Sequence, residues 1–494
     1  MTMENNKHFD VVVVGTGNAA LSAAVTASEK NRKVLMLEKG PEHKRGGNSY
    51  FTDGAIRFAY NDLDGIRSIV EDLSDEDNVE MPEYSVQDFH DDLMKVTQGK
   101  SNPKLADHLV SKSHETILWM KEQGVKFIMN ENQFYETDGK KTFWGGLPVK
   151  TDKKGIGLVE SLFKKAQENG VEIWYESPAV KIETADGKVS GVKVKSKEQG
   201  EVSVSADSVI LACGGFEASK EKRMEFLGDE WEDAVVRGSE YNTGDGISMA
   251  LEVGAVRAGQ YDGCHAHTTD YNAPRVGDYS KPGDIYKKSS YPLGLIINNE
   301  GHRFVDEGAD FRNYTYAKYG KETLKQPDHK AFQLYDSQVR PNLRVEYELD
   351  EATVFKADTI EELAEKMQVD TESFVKTIND YNDAVQEGNY NPGIKDGKST
   401  KGLSPEKTNW ALKFNEAPYY AYPVTCGITF TFGGVKVNEK AEVLNESGDH
   451  IEGLYAAGEM VGDLFYHNYP GGSGLMSGSV FGRTAGLSAA ERLK

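Results

Sequence analysis

The spacing of hydrophobic and polar positions changes period several times along the chain. Phe9–Val14 is a short, nearly unbroken apolar and β-branched run, the pattern of a strand buried on both faces. An alanine-rich segment, Ala19–Lys30, reads as a helix, and Lys33–Leu37 as a second strand. Strand, helix and strand in that order predict a βαβ unit opening a doubly wound sheet. Helices are expected at Lys104–Gln123 and Ile156–Gly170, and Asn61–Gln98 is an acidic, polar stretch of surface loop and helix. From Val171 to Gly215 the pattern shortens to strands: Val171–Trp174, Ala179–Ile182, Val189–Val194, Glu201–Ser205 and Ser208–Ala212. Asp186-Gly187 is a hairpin signal. These strands predict a small antiparallel layer whose last member returns to the main sheet.

Tyr261–Pro423 reads as a separate inserted unit, with a strand at Leu295–Asn298, helices at Ile360–Lys366 and Glu372–Gln386, and a loop at Asn389–Glu406. Beyond Gly433 the βα texture resumes, with a strand at Leu454–Ala456 and a terminal helix from Ser479. No internal repeat is visible.

A chain of 494 residues has room for more than one domain. A formal net charge of −22 repels nucleic acid and anionic membrane surfaces, so an anionic substrate needs a local basic pocket. Cys213, Cys264 and Cys426 form no CxxC or CxxCH spacing, which argues against attached haem, a metal cluster or a disulfide framework. The polar stretch Met1–Asp10 lacks an apolar signal core and no run is long enough to span a membrane, so a cytoplasmic location is expected.

Directly after the first strand stands Gly15-Thr16-Gly17-Asn18-Ala19-Ala20, a GxGxxA turn that opens a helix. Gly15 permits the tight turn, Gly17 lets backbone approach a pyrophosphate, and Ala20 keeps helix and strand close. The helix N-terminus offers N–H groups to phosphate. Glu38, followed by Lys39, ends the second strand about twenty residues on, where an acid accepts from ribose hydroxyls. The expected fold is therefore α/β: a Rossmann-like dinucleotide-binding domain (doubly wound sheet plus small antiparallel layer) with an inserted α+β capping and substrate domain. The expected boundaries are 1–260 and 425–494 for the two parts of the first and 261–424 for the second.

The fingerprint alone does not separate NAD from FAD. Five ordered segments do. Arg45-Gly46-Gly47-Asn48-Ser49 resembles the GGN-S/T signature of the fumarate reductase/succinate dehydrogenase flavoprotein superfamily. Ala212-Cys213-Gly214-Gly215-Phe216 resembles the end of its second FAD strand, and Asn242-Thr243-Gly244-Asp245-Gly246 its T-G-D-G turn. Gly453-Leu454-Tyr455-Ala456-Ala457-Gly458-Glu459 is similar to its G-L-Y-A-A-G-E element, and Gly471-Gly472-Ser473-Gly474-Leu475 to the loop under the flavin ring. The resemblance runs from Phe9 to Gly486. It implies FAD and adds Gly54 and Val180 to the cofactor-binding set. Where respiratory members carry a histidine bonded to FAD this chain has Asn48, which implies non-covalent FAD. No second GxGxxG is present for NAD(P)H, and no metal site is expected.

That superfamily interconverts C–C and C=C bonds beside a carboxylate or carbonyl. The chemistry needs hydride transfer at the flavin, a proton donor or acceptor, and donors that stabilise enolate charge. Cys264-His265-Ala266-His267-Thr268-Thr269 resembles the A-H-P-T element of fumarate reductases, which implies substrate binding by His267 with His265 close by. Gly294–Glu307 is like the strand–turn–strand before the catalytic arginine, and Arg312 falls within one residue of that spacing. An always-charged arginine needs a relay to move a proton, and Glu307 and Asp310 are the nearby acids in sequence. The T-E-x-x-R element is absent; Phe430 replaces a second carboxylate-binding histidine, and Tyr469 replaces a distal arginine.

These departures resemble one branch, the FAD-dependent tricarballylate dehydrogenases, marked by Gly17–Leu21, Arg45–Ser49, Asp306–Phe311 and Gly427–Phe432. The branch implies a tricarboxylate substrate and a separate electron partner, protein or quinone. Arg57, His265, His267, Lys287, Lys288 and Arg312 are the candidate cations, the two lysines expected to be solvated. Tyr469 before a Gly-rich turn also resembles 3-ketosteroid dehydrogenases, with Tyr466 and Tyr291 as possible partners. A reductase of an unsaturated carboxylate, and a flavin-binding protein without dehydrogenase activity, complete the alternatives.

Overall fold

β1 (His8–Val14) lies mid-sheet, and its side chains from Val11 to Val14 are all withdrawn from solvent, as its unbroken apolar run requires. α1 (Asn18–Glu29) carries the chain to β2 (Val34–Leu37), which pairs with β1 in parallel. The computed structural model describes residues 7–73, 78–131, 133–137, 139–143, 145–197, 200–281 and 283–493. Positions 1–6 of the polar N-terminal stretch and 74–77 of the acidic stretch lie outside the described residues.

Two further helices, α2 (Pro103–Glu122) and α3 (Lys154–Glu168), fall where apolar periodicity places them. β3 (Glu172–Trp174), β4 (Ala179–Ala185), β5 (Lys188–Ser196) and β6 (Gly200–Leu211) complete the sheet order β4-β5-β6-β1-β2-β3. Asp186 and Gly187 both take positive φ, 52° and 79°, the geometry of a type I′ hairpin.

The antiparallel layer differs from expectation. The segments 201–205 and 208–212 are one strand: the first half of β6 runs antiparallel to β5 (Val202 opposite Val194) and the second half parallel to β1 (Val209 opposite Val12). No Gly, Pro or Asn interrupts that stretch, and buried Ala206 sits at its middle, so nothing turns the chain. The antiparallel strands therefore extend the main sheet.

A second mixed sheet holds β7 (Arg257–Asp270), β8 (Leu295–Asn298), β9 (Ala331–Tyr335) and the long β10 (Tyr419–Val435). α4 (Ile360–Met367) and α5 (Thr371–Ala384) bury Leu363, Phe374, Ile378 and Tyr381 with Leu334 and Ala421 of this sheet. β7 spans position 260 and β10 spans position 424, so both positions fall inside strands of the second sheet.

β11 (His450–Ala456) returns beside β6 in parallel. α6 begins at Ser473 and runs to Glu491, six residues earlier than its apolar pattern indicates. Glycines at 474, 478, 482 and 486 disfavour helix in isolation, by about 1 kcal/mol each against alanine. Tertiary packing overrides this, because α6 lies against α1: a Cβ at Gly482 would sit 2.4 Å from the Ala19 carbonyl, and one at Gly486 2.4 Å from that of Ala23. The expected loop at 471–475 is thus a turn at Gly472 (φ +81°) leading straight into the helix.

Candidate active site

The carboxyl ends of β1, β2, β6 and β11 open on one elongated cavity, the usual place for a ligand in a doubly wound sheet. Gly15 turns there at φ +109°, with space for a Cβ only 2.4 Å from the Ala212 carbonyl; at Gly17 the nearest atom to a Cβ is 3.6 Å away, leaving the backbone accessible. Glu38, buried at the end of β2, accepts from the Thr16 hydroxyl and, at 2.7 Å, from Gly40 N. Burial pushes its carboxyl above the usual range, against those hydrogen bonds. Lys39 donates to Thr243 Oγ1 and Asp245 Oδ2 at 2.6 and 2.7 Å, and Ser49 Oγ accepts from Asn18 N at 3.0 Å. Helix N-terminus, glycine cradle and buried strand-end acid together fit the pyrophosphate and ribose of FAD.

Of the cofactor residues expected from sequence, Gly15, Gly17, Asn18, Ala19, Glu38, Lys39, Gly47, Asn48, Ser49, Ala212 and Gly214 line this cavity. So do Asn242, Asp245, Gly458, Glu459, Gly472, Gly474 and Leu475. Ala20, Gly46, Gly54, Thr243 and Ser473 are not on the wall. Gly54 (φ +85°) is a backbone requirement, its Cβ position lying 2.2 Å from Thr151 Oγ1. Val180 is 41% exposed and off the wall, which Pro178 and Ala179 form instead.

Asn48 is held on both sides. Its Nδ2 donates to Glu217 Oε1 at 2.6 Å and the Thr429 carbonyl at 2.7 Å, and its Oδ1 accepts from Ser239 N at 2.7 Å. Asn242 Nδ2 also donates to Glu217 Oε1, at 2.7 Å. Glu217 in turn hydrogen-bonds Glu459, whose Oε1 accepts from Thr431 N at 2.6 Å and Thr431 Oγ1 at 2.9 Å. Burial first, and then the neighbouring carboxylate, pushes Glu459 well above the carboxylate range. Two carboxyl groups in one dry pocket share a proton.

At the other end of the cavity β7 presents His265 and His267, both buried. Burial and then the charge of Arg237 hold both imidazoles well below their ordinary pKa, so they are neutral. Neither ring nitrogen of His265 has a hydrogen-bond partner among the described residues. Its ring stacks on Tyr469 (centroids 4.9 Å, planes 22° apart) and meets Tyr316 edge-on at 4.8 Å. Burial first, and then the neighbouring Tyr316, keeps the Tyr469 phenol well above the usual value.

Arg312 lies on the same wall. Its guanidinium makes no hydrogen bond or ion pair with a described residue, and burial, aided by the like charge of Arg344, lowers its pKa to about 10. The acids considered for a relay are engaged elsewhere. Glu307 holds Arg303 (2.6 Å) and accepts from Ile296 N, while Asp310 faces Lys95 and Lys395 at 3.7 and 3.6 Å.

Other expectations change as well. Lys287 is not solvated: its side chain is 13% exposed, lines the cavity and donates to Asp53 at 3.2 Å. Lys288 is buried against Asp270 at 3.6 Å, off the wall. Arg57 stands behind the wall, donating to Asp92 (2.9 Å) and the Gly471 carbonyl (2.8 Å), where it braces the turn before α6. Tyr291 bonds Thr315, and Tyr466 bonds Asp463 at 2.6 Å; neither lines the cavity.

Sequence reasoning missed Arg237, Asp284 and Arg344. Arg237 and Asp284 form a buried two-point ion pair through Nε (3.0 Å) and Nη2, while Nη1 is buried without a partner. Although burial opposes its charge, Asp284 holds Arg237 above the ordinary arginine value. Arg344 pairs with Glu346 at 3.0 Å. All three positions lie in loops without a motif, so no local signal marks them.

The FAD binding domain family model matches residues 10–475. The chain is similar to a probable fumarate reductase of Shewanella frigidimarina, 29% identical over 97% of this chain and 74% of that protein. It is likewise similar to a vinyl phenol reductase of Lactiplantibacillus plantarum, 28% identical over 98% of each. Among solved structures, the open conformation of a flavocytochrome c3 fumarate reductase superposes with a TM-score of 0.74 at 28% identity, over 99% of this chain and 79% of that one. Both the dinucleotide cradle and the chain-long match lead to one assignment: the chain belongs to the FAD binding domain family, and it is an FAD-dependent oxidoreductase.

Proposed function

We propose that this enzyme interconverts a C–C single bond and a C=C bond adjacent to a carboxylate or carbonyl. The observation that carries the reading is the group of unpartnered donors at the cavity end away from Glu38: the buried Arg237 Nη1 and His265 ring, and the half-buried Arg312, which bonds no described residue. Such donors cost stability unless a ligand oxygen meets them. When bound, FAD would accept or donate the hydride, which itself carries the two electrons. The protein residues then have separable tasks. Arg312 and Arg237 hold the carboxylate or carbonyl and stabilise the charge that grows on it. His265 and His267 act as neutral hydrogen-bonding groups, and the aromatic wall keeps water away. Arg312, with a pKa drawn down toward 10 by burial, is the group placed to hold or pass the proton at the carbon next to the activating group.

The segment 261–424 serves as the cap that brings β7 and Arg312 to the cofactor. Asn48, hydrogen-bonded on both sides, supports non-covalent FAD. Electrons come from or go to a separate partner, protein or quinone. A tricarboxylate is the substrate favoured by the marker segments alone. The Tyr469 and Tyr316 rings packed against His265 support a second reading, in which tyrosine polarises the ketone of a 3-ketosteroid.

The test follows flavin bleaching by the anaerobic holoenzyme with tricarballylate, succinate and a 3-ketosteroid in turn, and reoxidation of the reduced enzyme by unsaturated acids. Turnover of an acid, abolished in Arg312→Ala with flavin still bound, supports the first reading. Bleaching by the steroid alone moves catalysis to Tyr469. Flavin that stays with precipitated protein after acid treatment would rule out the non-covalent cofactor.

A further inference from the structure

Resting on the reading that the cavity acts beside a carboxylate, we infer that the site is built for a substrate with a single carboxylate and an apolar or aromatic remainder, an α,β-unsaturated monocarboxylate or its saturated counterpart. Charge pairing carries the inference. Among the described residues four cations line this end of the cavity: Arg237, Lys287, Arg312 and Arg344. Three acids are matched to three of them: Asp284 to Arg237, Asp53 to Lys287 and Glu346 to Arg344. Burial opposes the charges of Asp53 and Glu346, but the surrounding cations prevail and hold both carboxyls below their usual range, so they are ionised at neutral pH. Lys154 lies 3.8 Å from Asp53, but its side chain is 43% exposed and off the cavity wall. One cation, Arg312, is left over, and the two histidines add no charge because burial and Arg237 keep them neutral. Arg312, the spare Nη1 of Arg237 and one His265 N–H suffice for the two oxygens of one carboxylate. A second or third carboxylate would have to displace an ion pair from a largely dry site.

The wall beyond these donors is aromatic. Tyr316, Tyr469 and Phe430 surround His265, with Phe430 meeting Tyr469 at 5.5 Å. Rings of this kind cover apolar or aryl surface and offer little to a distant anion.

Overall, an enoate R–CH=CH–COO⁻ becomes R–CH₂–CH₂–COO⁻ by gaining two electrons and two protons, with reducing equivalents from a chemical donor such as dithionite through the flavin. The experiment uses dithionite-reduced holoenzyme and follows its reoxidation by cinnamate, fumarate and cis-aconitate; oxidised holoenzyme is given 3-phenylpropionate, succinate and tricarballylate. The monocarboxylate pair should exceed both others in kcat/KM by tenfold or more. Fumarate, succinate or either tricarboxylate matching the monocarboxylate would overturn the inference while leaving the proposed chemistry intact. Flavin that exchanges electrons with dithionite and oxygen but with none of the six acids would sink the underlying reading as well. A second arm uses Asp284→Asn, which frees Arg237. Its ratio of fumarate to cinnamate activity, and of their binding affinities by flavin spectral titration, should rise at least tenfold; an unchanged ratio counts against the charge argument.

Discussion

Replacing Arg312 by methionine should make the protein more stable and less active at once. In the folded chain the guanidinium is largely drawn out of water, faces Arg344 as a like charge, and forms no ion pair with a described residue, Glu346 acting on it only at longer range. Folding lowers its pKa from the ordinary arginine value to about 10. At about 1.4 kcal/mol per unit this corresponds to a destabilisation of about 3 kcal/mol, an upper figure because the side chain is only partly buried and solvent screens it. The sign follows from linkage: a base whose pKa is depressed by folding destabilises the fold at every pH below its folded pKa, and the cost fades only as pH rises through about 10 toward the ordinary arginine value. Methionine fills similar space without charge. The flavin-free Arg312→Met protein should therefore unfold at higher urea concentration than the parent at pH 7, by about 1–3 kcal/mol on linear extrapolation. Turnover of the acid substrate should fall by two orders of magnitude or more, as loss of a charged hydrogen bond of about 1.5–3 kcal/mol and of the proton-bearing group together require. Flavin content should not change. A variant that is less stable than the parent by 1 kcal/mol or more would refute the reasoning, because Arg312 would then be a structural partner and not an unsatisfied donor kept for substrate.

Two further outcomes follow from the cofactor end. Gly15→Ala places a methyl 2.4 Å from the Ala212 carbonyl at φ +109°, so left-handed strain and overpacking should together cost roughly 2–5 kcal/mol; purified protein should melt earlier and carry less flavin per chain, and a normal flavin content would contradict the cradle. Glu459→Gln removes one of two carboxyl groups that share a proton. Because both folded pKa values lie above the unfolded one, the pair destabilises the fold increasingly as pH rises above the usual carboxylate range. The melting advantage of Glu459→Gln over the parent should accordingly grow from pH 5 to pH 8; an advantage equal at both would show that no proton is shared.

Much of the architecture could be read locally, because the signals are local. Val11–Val14 is apolar without alternation since the strand is covered on both faces, and Gly15, Gly17 and Glu38 mark the dinucleotide turn through backbone constraints that only certain residues meet. The joining of 201–205 and 208–212 into one strand was less visible, as pattern reading breaks a strand wherever its pairing partner changes. The early start of α6 was hidden for the opposite reason. Its glycines disfavour a helix in isolation, and only the close approach of α1 makes their missing side chains an advantage.

By itself, then, the sequence determined the βαβ opening, the cofactor class, and the presence of His265, His267, Arg312 and Tyr469 as chemically able groups. Tertiary structure decided what those groups are. Burial and Arg237 make the histidines neutral, Arg303 engages Glu307 while Lys95 and Lys395 engage Asp310, and Asp92 takes Arg57 out of the cavity. The matching of Asp284, Asp53 and Glu346 to three cations, which leaves a single charge to greet the substrate, joins residues from distant loops. Electrostatic pairing depends on distance in space and on the exclusion of water, and neither is written in the order of residues along the chain.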